Sequence, residues 1–270
     1  MSRSDIPRAS EGGHWYMRDG TPMYEVAAKD GTMRPCTLRD ARKLGLFPGV
    51  TTVIRCAAAP ALERWKEDQS ILAALTLPRT GDEPHEILMA KIREDAGAQA
   101  RKAANEGTRF HAAIQGHHEG TPPDAEMWPT VKAMNAAISQ NFGEGIWRPE
   151  LPCAHESGFG TKSDLSRQDA LIDFKGTEGD KVKLAGMKTW ESHWMQLAAT
   201  RKALHAQGKC DADAACAIGY FSRTHKDEVR ILRVDEPELE QGWLMFSALL
   251  AYWKAKNKYW PELFAEKVAA

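Results

Sequence analysis

Asp164-Leu-Ser-Arg-Gln-Asp-Ala-Leu-Ile-Asp173-Phe174-Lys175 is the stretch on which the fold and the chemistry of this chain turn. An acid is followed by a polar turn, a short apolar run and then Asp-x-Lys. Successive side chains of a β-strand point to opposite faces, so Leu171, Asp173 and Lys175 share one face while Ile172 and Phe174 share the other. One face can pack while the other does chemistry. A carboxylate and an ammonium on one rigid strand, joined by a carboxylate from a neighbouring segment, can hold a hard divalent cation beside a positioned water. That grouping suits phosphodiester hydrolysis. A surface strand with an ordinary Asp and Lys is the competing interpretation, and the surrounding chain decides between them.

The 270 residues are enough for one large core without staples. Lys and Arg number 36 against 37 Asp and Glu, so an anionic partner has to be met by a local patch rather than by bulk charge. Five cysteines (Cys36, Cys56, Cys153, Cys210, Cys216) form an odd set without a C-x-x-C pair, as expected of a reducing cytosol. No apolar leader and no run of transmembrane length is present, and a cytoplasmic protein that leaves the membrane alone is expected.

The fold class expected is α/β, a central mixed sheet flanked by helices. One domain over 1–270 is expected, with a β-rich extension at about 13–55 and a core at about 86–235. Residues 1–12 are polar and expected to fray. From His14 to Leu38 the Asp19-Gly20 and Asp30-Gly31 pairs punctuate short strands. Leu38–Leu46 has a helical pattern. Val50–Ile54 is β-branched and reads as a strand, with a Thr-capped helix start as the alternative. Helices are expected at Ala61–Leu77, Glu86 to about Gly116, Thr130–Phe142, Met187–Gln207 and Pro237 to about Trp260. Gly107 inside the second of these is expected to mark a close contact or a break. Pro78–Pro84 and Gly116–Pro129 read as loops, the latter carrying His117 and His118. Trp147–Glu156, Ala214–Ser222 and Val229–Val234 read as extended. Residues 178–189 read as a loop after the Asp-x-Lys strand, where contacts to a DNA strand are easy.

The order Gly107-x-x-x-His111, an extended segment with Glu156, Asp164, Asp173-x-Lys175 and a helix with Gln196 resembles the RecB-type branch of the PD-(D/E)xK nucleases. That branch includes phage exonucleases and the nuclease modules of recombination helicases. The resemblance spans roughly residues 105–205, and Pro48-Gly-Val-Thr-Thr-Val53 is similar to an opening found in phage members. It implies a Mg2+- or Mn2+-dependent deoxyribonuclease, an exonuclease leaving 5'-phosphates, acting on DNA in recombination, replication or repair, with a partner protein from that machinery. It further implies that His111, Asp164 and Asp173 ligate the metal, with the Phe174 carbonyl as a further ligand. Lys175 would orient the attacking water, and Gln196 would brace the site or contact DNA. Three departures stand out. Ser163 replaces the motif's proline, Gly160 lies four residues before Asp164 and leaves Asp169 as the alternative carboxylate, and Thr200 replaces the tyrosine of Gln-x-x-x-Tyr.

Competing readings use other residues. Cys56, Cys210 and Cys216 suggest an iron–sulfur site, but Gln207 stands where the fourth thiolate belongs, and buried free cysteines are expected instead. A zinc site from His111, His117 and His118 lacks the H-E-x-x-H spacing. Between Phe159 and Lys209 basic residues outnumber acids, which favours phosphate contacts there. An inactive DNA-binding protein of the same fold, or a metal hydrolase of small phosphate esters, are the alternatives to a nuclease.

Overall fold

The structure, a computed structural model, describes residues 13–57, 60–78 and 83–263. The expected frayed start and the middle of the Pro78–Pro84 loop lie outside the described residues. The chain begins with β1 (Trp15–Tyr16), the antiparallel hairpin of β2 (Glu25–Ala27) and β3 (Met33–Pro35), α1 (Leu38–Leu44), β4 (Phe47–Pro48), which pairs with β1, and α2 (Val50–Ile54). The Asp-Gly turns form as the sequence expects. Gly20 and Gly31 take φ values of 97° and 81°, and Asp19 and Asp30 accept the backbone N–H of Thr21 and Thr32. α1 opens on a reciprocal Thr37–Asp40 capping box and ends on left-handed Gly45.

Val50–Ile54 is a helix, not a strand. Val50 and Val53 are three apart and both buried, so helical spacing lets each reach the core, and Thr52 Oγ1 accepts His14 N–H at 3.1 Å. Tertiary packing overrides the β-branched preference. Its N-cap is Gly49, without a side-chain cap.

Three helices follow: α3 (Pro60–Thr76), α4 (His85–His118) and α5 (Trp128–Phe142). α4 has 34 residues, about 51 Å of helix. It runs through Gly107 unbroken, and among the described residues no neighbouring atom outside the helix's own backbone lies within 4 Å of where a Cβ would stand there, so neither a break nor a close contact among them explains that glycine. Its last turn also takes in His117 and His118, which the sequence assigned to a loop.

The main sheet holds β5 (Arg148–His155), β6 (Phe159–Arg167), β7 (Ala170–Thr177), β8 (Ala215–Ser222) and β9 (Val229–Val234), adjacent in that order. Only the β7–β8 pair is parallel, so the sheet is mixed. The crossover between them carries α6 (Lys181–Ala185) and α7 (Glu191–Ala206). The segment after β7 is thus partly helical rather than a loop. α7 starts four residues later than Met187, because Trp190 is extended at φ −132° and ψ 160°. The described chain closes with α8 (Glu236–Asn257) and a 3-10 turn at Pro261–Leu263.

The alternation expected of β7 sets the two faces. Ile172 and Phe174 pack with Phe110 and Ile114 of α4 and with Val131, Met134 and Ile138 of α5. Leu171 packs on the opposite face with α7 and α8 through Leu197, Leu204, Phe246 and Leu250. The N-terminal elements join this second layer, and the Tyr259 hydroxyl donates to the carbonyls of Ala41 and Leu46 at 2.8 and 2.9 Å. Backbones of α7 and α8 approach closely at Gly242. A Cβ there would lie 2.4 Å from the carbonyl carbon of Trp194 and 2.5 Å from its oxygen. Backbone atoms cannot swing aside, so Gly242→Ala should force the helices apart and cost about 1–3 kcal/mol. A drop in urea midpoint at unchanged slope measures this; an unchanged midpoint would contradict the packing.

Candidate active site

The antiparallel ladder of β6 and β7 pairs Arg167 with Ala170, Ser166 with Leu171 and Leu165 with Ile172, and there it stops. Asp164 and Asp173 would form the next pair. The strands instead part, and Asp164 Oδ2 accepts the Phe174 backbone N–H at 2.7 Å. A side chain thereby satisfies a buried donor that the broken ladder abandons. The opening between the strands is where the chemistry-bearing groups gather.

His111 reaches it from α4. Phe110 beside it is fully buried and stacks on Phe221 at 3.9 Å between ring centroids, which fixes the helix over the sheet. The His111 ring meets Phe174 edge to face, and its Nδ1 lies 3.3 Å from Asp164 Oδ1. Lys175 Nζ lies 2.6 Å from Asp173 Oδ2 and donates to Gln196 Oε1 at 3.2 Å. Gln196 Nε2 in turn donates to Asp173 Oδ1 at 2.5 Å, closing a ring of three side chains between β7 and α7. Asp173 Oδ2 is buried and has no aligned hydrogen bond, only the ion contact to Lys175.

Glu150 also faces this opening, and the sequence reading missed it. Pro149 pairs with Leu165 and Leu151 with Ser163, so Glu150 stands opposite Asp164 but outside the ladder, with φ at 51°. A non-glycine residue in that region is strained and is held by its surroundings. Lys162 of β6 pairs with the Glu150 carboxylate. The signal was the run Pro149-Glu-Leu-Pro152, because prolines inside a strand mark an edge or a bulge. Glu156, the acid named from the sequence, is exposed in the turn between β5 and β6. Asp169 is exposed in the β6–β7 turn and pairs with Arg167 at 2.6 Å, away from the opening.

His111, Glu150 and Asp164 each offer one donor atom within 4.8 Å of the other two. Asp173 stands outside that trio, its oxygens turned to Lys175 and Gln196. One imidazole nitrogen and carboxylate oxygens form a donor set that suits a divalent cation, and Asp173 Oδ2 is held only by the Lys175 ammonium.

The electrostatics fit the same charge. Burial pushes the Asp173 carboxyl up, Lys175 opposes this, nearby Asp164 reinforces it, and the result is about 6. For Asp164 burial also acts upward, but His111, Lys175 and the Phe174 N–H outweigh it and hold the group below its usual range. His111 is pushed down by burial and further up by Asp164, ending raised. Lys175 follows the same logic: burial lowers it, while Asp173 and Asp164 raise it. Two carboxylates in one buried space favour a cation between them.

Other sequence candidates fall elsewhere. Thr200 is buried, with its hydroxyl 3.1 Å from that of Thr161 on β6. His118 lies beside His117 at the far end of α4, and burial depresses it. Cys210 and Cys216 are buried thiols pushed up to about 11 and about 12, and Cys56 is half-buried. Among the described residues no helix is long and apolar enough to cross a membrane.

No protein-family model matches this chain, and no curated protein does. Similar solved structures include an alkaline exonuclease from Laribacter hongkongensis, at 17% identity over 77% of this chain and 98% of the other, with a TM-score of 0.31. The complex of that exonuclease with dAMP gives 15% identity, 73% and 92% coverage and a TM-score of 0.30. The protein SSO0001 gives 13%, 72%, 87% and 0.29.

Thr200 is buried against β6, where there is little room for a larger side chain. A phenol there would enter the layer between α7 and β6 rather than reach an open surface. Thr200→Tyr should therefore cost about 1–3 kcal/mol by overpacking, while Thr200→Ser stays within about 1 kcal/mol. Paired urea denaturation curves test this, and a stable Thr200→Tyr protein would place α7 wrongly.

Proposed function

We propose that this chain is a metal-dependent deoxyribonuclease, acting as an exonuclease on DNA. The observation that carries the reading is the meeting of His111, Glu150 and Asp164 within 4.8 Å beside the linked Asp173, Lys175 and Gln196. Candidate cation ligands and a half-buried ammonium share one opening at the end of a broken strand ladder. His111, Glu150 and Asp164 would hold the cation, Mg2+ or Mn2+, with Asp173 adjoining. When bound, that ion polarises a phosphate oxygen and lowers the pKa of a coordinated water.

The chain's own groups do the rest. Lys175 is held by Asp173 and Gln196, so its Nζ has a fixed position from which to orient the attacking water and to face charge developing on the phosphate. Attack at phosphorus breaks the bond to the 3'-oxygen and leaves a 5'-phosphate. The resemblance of the motif order to RecB-type nucleases is what supports the exonuclease assignment and a role in phage-type recombination or replication.

Purified protein with Mn2+ should degrade end-labelled linear DNA, and Lys175→Ala should lower the rate by a factor of about 100 to 10,000. Intact DNA with wild-type protein, or equal rates for both, would sink the nuclease reading. Parallel incubation with a small phosphodiester such as bis(p-nitrophenyl) phosphate separates a DNA enzyme from a hydrolase of small esters. Glu150→Gln removes a charged donor and should raise the Mn2+ concentration for half-maximal rate about tenfold. An unchanged Mn2+ titration would show that Glu150 is not part of the metal site.

A further inference from the structure

The segment between β7 and α7 carries Val182 and Trp190 at 79% and 57% exposure, well above what packing requires. Its backbone is nevertheless pinned. Arg230 Nη1 donates to the carbonyls of Leu184 at 2.8 Å, Met187 at 3.2 Å and also Ala185, while the Tyr220 hydroxyl donates to the Lys188 carbonyl at 2.8 Å. Leu184 is buried beneath the segment, and Asp180 caps α6 through the Lys183 N–H. Tyr220 is the register partner of Lys175 on the neighbouring strand, so the pinned segment lies against the candidate active site. Trp190 leads directly into α7, whose Gln196 holds Lys175.

The exposed side of this segment has a consistent chemistry. Lys181, Lys183 and Lys188 are exposed, and no ion pair joins them to an acid among the described residues. Two nearby acids are engaged, Glu178 with Arg223 at 3.3 Å and Asp180 as the cap; Glu191 opposes the lysines by one charge. A pinned backbone that presents an exposed indole on the same segment as three exposed ammonium groups suits a ligand with flat apolar faces and a chain of anions. Unpaired nucleotides have both, whereas a duplex hides its base faces in the stack.

Resting on the nuclease reading above, we infer that residues 181–190 form a platform for single-stranded DNA at the mouth of the site, Trp190 stacking on a base and Lys181, Lys183 and Lys188 meeting phosphates. The substrate strand is thereby engaged as a single strand beside Lys175.

Fluorescence anisotropy with a fluorescein-labelled twelve-nucleotide oligo(dT) and a duplex of equal length, in EDTA and over a series of KCl concentrations, tests this. Trp190→Ala should weaken oligo(dT) binding about tenfold without changing its salt dependence, and Trp190→Phe should restore most of it. Each of Lys181→Ala, Lys183→Ala and Lys188→Ala should lower the slope of log K against log salt by about 0.7. Absence of oligo(dT) binding, equal binding by Trp190→Ala, or an equal loss on the duplex would overturn the platform. The binding assay needs no hydrolysis. If wild-type protein fails to degrade DNA yet shows these shifts, the nuclease reading fails alone; if it degrades DNA but Trp190→Ala binds normally, the platform fails alone.

Discussion

The hydrogen bond from the Phe174 N–H to Asp164 Oδ2 is the contact on which the site depends. Two antiparallel strands would ordinarily continue their ladder past Leu165 and Ile172. Continuing it would bring Asp164 and Asp173 face to face in a low-dielectric space, where like charges repel. Parting the strands avoids that pairing but leaves a buried N–H, and the Asp164 carboxylate satisfies it. The same carboxylate turns its other oxygen to His111. One side chain thus keeps the gap open and faces the histidine across it.

Each strand next to the gap contributes through a departure from regularity. β5 places Glu150 at positive φ and drops it from the ladder. β7 keeps its register with β8, and that parallel pairing requires a crossover connection. The crossover ends in α7, which lies against the Leu171 face of the sheet and brings Gln196 onto Lys175 and Asp173. The close approach of α7 and α8 at Gly242 fixes how near these two helices stand. On the opposite face, Phe110, Phe174 and Phe221 form an aromatic cluster that seats α4 and with it His111. The site is therefore a product of both layers, and neither layer alone holds a complete set of groups.

The long helices and the strands with regular alternation were legible because their signals are local. The alternation from Leu171 to Lys175 predicted two faces, and the two cores use those faces as expected. Val50–Ile54 misled because its β-branched residues also fit a helix once the core accepts positions three apart. Gly107 misled because a glycine in a helix often signals contact, and here it signals none. His117 and His118 were assigned to a loop because the helix was expected to end at about Gly116, two residues short of its last residue, His118.

For the site, the sequence by itself determined the Asp-x-Lys strand, the histidine one turn beyond Gly107 and the glutamine on the following helix. The chemistry of the Asp-x-Lys strand follows from residue type and spacing, which are local properties, whereas His111 and Gln196 were picked out by the resemblance of the motif order. Only the tertiary structure decided which other carboxylates meet them. Asp164 rather than Asp169 reaches the gap because the strands separate on one side of Leu165 and stay paired on the other. Glu150 rather than Glu156 joins His111 and Asp164 because a strained residue on an edge strand faces Asp164 across the sheet. Both choices depend on register between segments distant in the chain, and register is a property of packing that no single segment carries.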